Sequence, residues 1–218
     1  ITAILTVISP RLSHYAENDK EKFFTLLEKT FNIILMLSLP FLFALIVMAR
    51  PLTLLFCGEN FEPSIIIMQV MSVIIFMIPL GIFCSTQIFI PLRKDKYTFY
   101  PVFVGAVVNA FCNVFLILKY GGLGAGIATV VAETSVTVSS LVLVKKLHIQ
   151  LHKFFRYIHQ YLIASVIMAI AVGFLAKTLN TSFVFIFVTV FCGIIIYFSV
   201  LLLLRNSYLF DFLKTLKR

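Results

Sequence analysis

Residues 183–204 read FVFIFVTVFCGIIIYFSVLLLL and contain no charged side chain. A helix needs about 20 apolar residues to cross the roughly 30 Å hydrocarbon core of a bilayer, so this stretch predicts a transmembrane helix. Five more stretches of comparable length and hydropathy precede it, at 30–49, 65–90, 99–118, 123–144 and 158–176. The sequence therefore predicts an all-α polytopic membrane protein with six transmembrane helices.

The overall composition agrees with this fold class and excludes soluble enzymes, disordered chains and disulfide scaffolds. Of the 218 residues, 61% are hydrophobic and 12% are charged, whereas soluble domains carry roughly 25% charged residues. The longest predicted connection, 10–29, is too short for an extramembrane catalytic domain. The cysteines and histidines lack the spacing of a metal or redox site. We therefore expect a protein that is not an enzyme and that needs no cofactor or metal.

The distribution of basic residues predicts the orientation of the chain. Lys and Arg number 18 against 9 Asp and Glu, which gives a net charge of +9. The successive segments outside the spans carry 4, 1, 3, 1, 4, 1 and 4 basic residues. Because cytoplasmic loops are enriched in Lys and Arg, segment 10–29 and the C-terminus are predicted to be cytoplasmic. The excess charge is thus a topology signal, and no nucleic-acid partner is expected.

The first residues are predicted to belong to the end of a membrane helix. The apolar run before Pro10 is too short to span a bilayer, so residues 1–9 are interpreted as the end of a preceding transmembrane helix. Residues 14–29 begin with acidic side chains and continue with apolar ones. Acidic residues favour a helix N-terminus, so this segment predicts a short amphipathic helix at the cytoplasmic surface.

One acidic residue, Glu133, lies inside a predicted span, whereas the other eight lie in connections. A charged group there costs at least about 2.5–3.5 kcal/mol, so its side chain must face protein or water. Helical spacing places small and polar side chains on one stripe of this span. The stripe consists of Gly122, Gly126, Thr129, Glu133, Thr137 and Ser140. Two interpretations stay equally open: a proton, cation or headgroup site, and an interhelical hydrogen-bond anchor.

Other polar side chains could line a cavity together with this carboxylate, although such residues are singly more often packing contacts. The candidate transport and coupling residues are Glu133, Thr129, Thr137, Asn109, Asn113 and Gln69. Proline inside a span kinks a helix, which suits alternating access but is common in membrane proteins generally. The candidate kink and gating residues are Pro40, Pro79 and Gly81.

Four short motifs stand in a definite order along the chain. They are ISPRLS at 8–13, LLFCGENF at 54–61, PLRKDK at 91–96, and YGGLGAGIAT at 120–129, the last followed by Glu133. In order and spacing they resemble motifs of the polysaccharide-export flippases of the Wzx (O-antigen) type, within the multidrug/oligosaccharidyl-lipid/polysaccharide exporter superfamily. The last motif is the most specific, with Gly126 where that family has an alanine. The resemblance is dense over 10–146 and thin from 147 onwards.

This resemblance implies a fold, a substrate and partners. Residues 10–146 would form the flippase core with four transmembrane helices, in the C-terminal half of a MATE-like bundle. Residues 147–218 would add two transmembrane helices, which can form a lipid-facing groove, and a basic cytoplasmic tail. The implied activity is alternating-access flipping of an undecaprenyl-diphosphate-linked oligosaccharide or polysaccharide repeat unit to the periplasmic leaflet of the bacterial inner membrane. Coupling to protons or sodium is implied too, with membrane lipids and polysaccharide assembly proteins as partners.

Two alternatives stay open at this point. A multidrug or cation antiporter of the same superfamily would place acidic and aromatic side chains in its cavity, whereas a lipid flippase would place basic ones there. A non-transporting membrane scaffold subunit would have an apolar interior. The polar stripe around Glu133 counts against the scaffold.

Overall fold

A computed structural model describes residues 1–178, 183–206 and 208–209, with the side chains at 151, 152, 177 and 178 outside the description. Regular secondary structure in these ranges is helical throughout. The α-helices are α1 (Thr2–Asn18), α2 (Lys20–Cys57), α3 (Ser64–Met71), α4 (Ile74–Phe83), α5 (Lys96–Tyr120), α6 (Gly122–Lys146), α7 (Leu151–Phe154), α8 (Ile158–Thr178) and α9 (Phe183–Leu203). Residues 207 and 210–218 of the basic tail predicted after 204, and residues 179–182 of the predicted connection 177–182, lie outside the described residues.

Six helical segments in the described part of the chain are long and apolar enough to cross a membrane, and this confirms the predicted fold class. Their bounds are Lys20–Cys57, Ser64–Phe89, Lys96–Tyr120, Gly122–Lys146, Ile158–Ala176 and Phe183–Leu203. Each predicted span falls inside one of them or within a residue of its ends. At about 1.5 Å per residue, the 38 residues of α2 exceed the membrane thickness, so this helix extends beyond the bilayer.

The start of the chain differs from the sequence prediction. α1 continues through Pro10, and the amphipathic helix expected over 14–29 is divided between α1 and α2. The division occurs because Asp19 has an extended backbone and caps α2, accepting a hydrogen bond from the Lys22 backbone N–H at 3.0 Å. The Lys22 ammonium group lies 2.9 Å from the same carboxylate, and its hydrogen bond lowers the pKa of Asp19.

The span predicted over 65–90 is not one uninterrupted α-helix. α3 and α4 are separated at residues 72–73, and α4 passes into a π-helical segment, Cys84–Phe89. The wider turn is defined by the hydrogen bond from the Ile90 N–H to the Ser85 carbonyl, at 3.1 Å. Such π turns are rare and occur mostly as single turns within α-helices, often at functional sites.

The chain folds as two compact units. The first unit comprises residues 1–38 and 73–156, and the second comprises 39–72 and 157–218. One boundary falls within α2 two residues before Pro40, and another falls at the interruption between α3 and α4. The three-part division predicted at 9/10 and 146/147 stays a prediction.

In the first unit, α5 packs along α6, α4 also packs against α6, and α1 packs against the π segment. An aromatic cluster ties the segment after α6 to the start of α2. The Phe31 ring lies 5.4 Å from that of Phe154, 5.0 Å from Phe155 and 5.1 Å from Phe83, measured between centroids. Because Phe31, Phe83 and Phe154 are buried, this cluster anchors α7 to the helical core. In the second unit, α8 packs against α9.

Candidate functional site

The candidate site lies on the antiparallel pair of helices α5 and α6, which approach each other through glycines. Gly121 has a φ of +56° and makes the turn between the two helices, a backbone conformation that favours glycine. A Cβ atom at Gly124 would lie 2.0 Å from the Leu116 carbonyl oxygen. A Cβ atom at Gly105 would lie 2.2 Å from Cγ2 of Val136. A methyl group at either position would force its neighbour to move, so glycine permits the close approach of this pair.

This register places the predicted polar residues of the two helices at one depth. Because Leu116 lies opposite Gly124 and Gly105 lies opposite Val136, the stretch from Asn109 to Asn113 lies level with Thr129. The Asn113 amide group donates a hydrogen bond to Oδ1 of Asn109. All three side chains are half-buried. Asn109, Asn113 and Thr129 therefore share one level of the first unit.

The groups at this level are rich in oxygen atoms. The Thr129 hydroxyl donates to the Ala125 carbonyl at 3.0 Å, which places two oxygens side by side on α6. The amide oxygens of Asn109 and Asn113 add two more on α5. Hard cations prefer oxygen ligands, so each of these groups is of a type that such a cation could use.

Glu133 follows one turn after Thr129 on α6 and is half-buried. Within the described residues its carboxylate has no hydrogen bond and no ion pair, unlike the carboxylates of Glu17, Asp19 and Glu62. A carboxylate inside a membrane span is by default a hypothesis for a functional site. The interpretation of Glu133 as a proton, cation or headgroup site therefore stays a prediction.

Thr137, one turn further along α6, has a different environment. It is 2% exposed, and its hydroxyl donates to the Met77 carbonyl of α4 at 2.8 Å. A Cβ atom at Gly81 would lie 3.3 Å from the same hydroxyl oxygen, so this glycine makes room for the contact. Pro79 is buried between these two α4 positions and has no N–H to donate to the Ile75 carbonyl. Thr137 thus has the geometry of an interhelical anchor.

The remaining candidates lie apart from this level. Gln69 belongs to the second unit, where its amide donates to the Ile46 carbonyl of α2 at 3.1 Å. Pro40 lies within α2, close to the boundary between the units. Their proposed roles in transport and gating stay predictions.

Sequence reasoning did not foresee the contact between α1 and the π segment. Gln87 is fully buried, and its amide donates to the Leu5 carbonyl of α1 at 3.0 Å. The Ser9 hydroxyl donates in the opposite direction, to the Thr86 carbonyl at 3.3 Å. The only signal in the sequence was the polar run Ser85–Thr86–Gln87 at the end of an apolar span. Two reciprocal hydrogen bonds therefore join these helices.

Comparisons with known proteins agree with this architecture. A solved structure described as "Lipid II flippase MurJ, inward closed conformation" superposes with a TM-score of 0.76 at 19% sequence identity, which shows a shared fold. The match covers 92% of this chain, whereas this chain spans 43% of that structure's chain. Comparison with curated proteins gave no match.

The sequence model of one family, described as "Lipid II flippase MurJ", matches residues 1–198. This match, together with the shared fold, confirms the exporter superfamily that the motifs indicated. Because the match extends over most of the 218 residues, the chain belongs to the lipid II flippase MurJ family.

Proposed function

We propose that this chain is the C-terminal part of a transporter that flips a lipid-linked oligosaccharide from the cytoplasmic to the periplasmic leaflet. The family match over residues 1–198 carries this proposal. The six membrane-spanning segments and the half-buried polar level on α5 and α6 support it. The protein would be a multi-pass protein of the bacterial inner membrane with a cytoplasmic C-terminus. It would work by alternating access, without covalent chemistry.

The first candidate substrate is lipid II, which the family description names. The second is an undecaprenyl-diphosphate-linked O-antigen or polysaccharide repeat unit, which the motifs of the Wzx type favour. Both substrates join a lipid diphosphate to a sugar, so one transport path would serve either. The family match favours both over a cationic drug, and over a scaffold without a transport path. Polysaccharide assembly proteins would be partners only for the second substrate.

The substrate can be tested by complementation with the protein in its full length. One bacterial strain is depleted of its own lipid II flippase, and another lacks its O-antigen flippase. We expect the protein to restore growth and surface-exposed lipid II in the first strain and to leave O-antigen absent in the second. Expression is measured in both strains by immunoblot. Restored O-antigen without restored growth would assign the second substrate, and rescue of neither strain would refute flipping of both lipids.

We propose further that the polar level on α5 and α6 binds the coupling ion. If sodium couples transport, the oxygens of Asn109, Asn113 and Thr129 would hold it. If protons do, Glu133 would carry them, since its carboxylate has no partner among the described residues. Thr134 provides a matched control, because its hydroxyl donates to the Val130 carbonyl of the same helix at 2.7 Å, off the stripe.

The coupling test uses proteoliposomes that contain the full-length protein and an imposed sodium or pH gradient. We expect Thr129→Val to abolish stimulation by sodium, or Glu133→Gln to abolish stimulation by a pH gradient. Thr134→Val should behave as the unmodified protein. Gradient-dependent flipping that survives both Thr129→Val and Glu133→Gln would refute this ion site while leaving the flippase proposal intact.

A further inference from the structure

A cavity of about 640 Å³ lies within the second unit, between the second half of α2 and α8. Its volume falls in the range of about 300–1,000 Å³ that is typical of ligand pockets. We call it the α2–α8 groove, and its walls are apolar except at Arg50. The lining consists of Phe43, Val47, Arg50, Pro51, Val166, Ala169, Ile170, Gly173, Phe174 and Ala176.

The groove has the length of one membrane leaflet. Its α8 wall runs from Val166 to Ala176, which is about 15 Å at 1.5 Å per residue. Half of a hydrocarbon core of roughly 30 Å is the same length. The helices are in close contact at Gly173, where a Cβ atom would lie 3.0 Å from Cγ1 of Val47. Arg50 follows Val47 by one helical turn, so the guanidinium group lies toward the Ala176 end of the groove.

Arg50 is available to an anion at this end. Its Nη2 lies 3.2 Å from a carboxylate oxygen of Glu62, and the two side chains are 68% and 61% exposed. An exposed pair of this kind holds its partners weakly, and a guanidinium group has five N–H donors. Arg50 is also the single basic residue of segment 50–64, on the basic-poor side of the membrane. The positive-inside rule does not account for a cation at this place.

We propose that the α2–α8 groove binds one acyl chain of an anionic glycerophospholipid of the periplasmic leaflet, with the lipid phosphate on Arg50. The acyl chains of bilayer lipids define the leaflet thickness, so a chain anchored at the interface fills a groove of this length. A guanidinium group binds phosphate through two parallel hydrogen bonds, which would hold the headgroup at the Arg50 end of the groove. This site is separate from the polar level on α5 and α6, and it does not depend on the transported substrate.

The headgroup contact can be tested by native mass spectrometry of the purified full-length protein, titrated with phosphatidylglycerol and with phosphatidylethanolamine. We expect Arg50→Gln to weaken the tightest phosphatidylglycerol site about tenfold, which corresponds to about 1.4 kcal/mol. Arg50→Lys should weaken it less, because a lysine keeps the charge and loses the paired hydrogen bonds. Arg93→Gln is the matched control, since Arg93 also pairs with a glutamate, Glu17, in an exposed position.

The acyl-chain contact needs a second measurement on the same proteins. Phosphatidylglycerol with a photoreactive acyl chain should label the stretch 166–174 of α8, and Arg50→Gln should reduce this labelling whereas Arg93→Gln should not. Equal losses in the two arginine variants would overturn the site, as would labelling that is spread evenly along α8. Displacement of phosphatidylglycerol from the stretch by a prenyl diphosphate would also overturn it, because the groove would then belong to the transported lipid.

Discussion

The close packing of α5 on α6 leads us to predict that Gly105→Ala destabilises the protein. The added Cβ atom would lie 2.2 Å from Cγ2 of Val136 and 3.4 Å from the carbonyl oxygen of Ala132. Carbon atoms in good contact are about 3.5–4.0 Å apart, so the new methyl group is at least about 1.3 Å too close to Val136. Valine in a helix strongly prefers one χ1 rotamer, so its side chain cannot readily turn away. The two helices must separate instead.

The change in the free energy of unfolding caused by Gly105→Ala is the sum of two opposing effects. Alanine is a better helix former than glycine by about 1 kcal/mol, which on its own would stabilise α5. Overpacking of a well-packed contact costs about 1–3 kcal/mol. We therefore expect Gly105→Ala to lower the free energy of unfolding by up to about 2 kcal/mol. Removing the opposing methyl groups in Gly105→Ala/Val136→Ala should relieve the clash, with a coupling energy of about 1–3 kcal/mol between the two sites.

The measurement is a double-mutant cycle on the full-length protein in detergent micelles, with unfolding followed by denaturant titration. Val138→Ala is the control partner, because Val138 lies on the same helix and is exposed. Its effect should add to that of Gly105→Ala within about 0.5 kcal/mol. If Gly105→Ala is more stable than the unmodified protein, the gain in helix propensity exceeds the cost of overpacking, and the packing argument is wrong. The packing argument would also be refuted if the effects of Gly105→Ala and Val136→Ala on the free energy of unfolding simply added.

Three further predictions concern contacts of the first unit, each read from the same unfolding assay. Phe154→Ala should lower the free energy of unfolding by about 3–5 kcal/mol, because it removes a buried ring from the aromatic cluster; a loss below 1 kcal/mol would show that α7 is not anchored there. Thr137→Val should cost about 0.6–1.7 kcal/mol, the range of interhelical membrane hydrogen bonds, whereas Thr134→Val should cost almost nothing. Gln87→Leu removes the bond to the Leu5 carbonyl and should raise hydrogen exchange in α1 specifically; unchanged exchange there would contradict the role given to this bond.

The transmembrane helices were predictable because their length and hydropathy are set by the bilayer. The spans 99–118 and 123–144 differ by at most three residues at either end from α5 and α6. The interruption between α3 and α4 and the π segment were missed, because the length and hydropathy of 65–90 predict a membrane span without showing where its backbone hydrogen-bond pattern changes. Pattern alone could not locate them.

The corner between α1 and α2 shows a second reason why the sequence did not predict every feature of the fold. The acidic residues of 14–29 correctly indicated a helix N-terminus, yet the helix begins at Lys20, after the capping residue Asp19. Any of several acidic residues could have served as the cap. Which one does so depends on where α1 ends, and α1 continues through Pro10. Local signals therefore predicted that a helix starts in this segment but not at which residue.

The polar residues of the membrane spans differ in whether they form a hydrogen bond to another helix. The sequence alone could not predict this difference. Thr137 and Gln69 each donate to a backbone carbonyl of another helix, which is what packing requires of a polar group in lipid. Glu133 lies on the same stripe as Thr137, but within the described residues its carboxylate has no hydrogen bond and no ion pair. A carboxylate kept within a membrane helix without a structural bond raises its insertion cost for no gain in packing. This difference is the reason why we propose a bound ligand or proton for Glu133, and the flipping assay on Glu133→Gln tests that proposal.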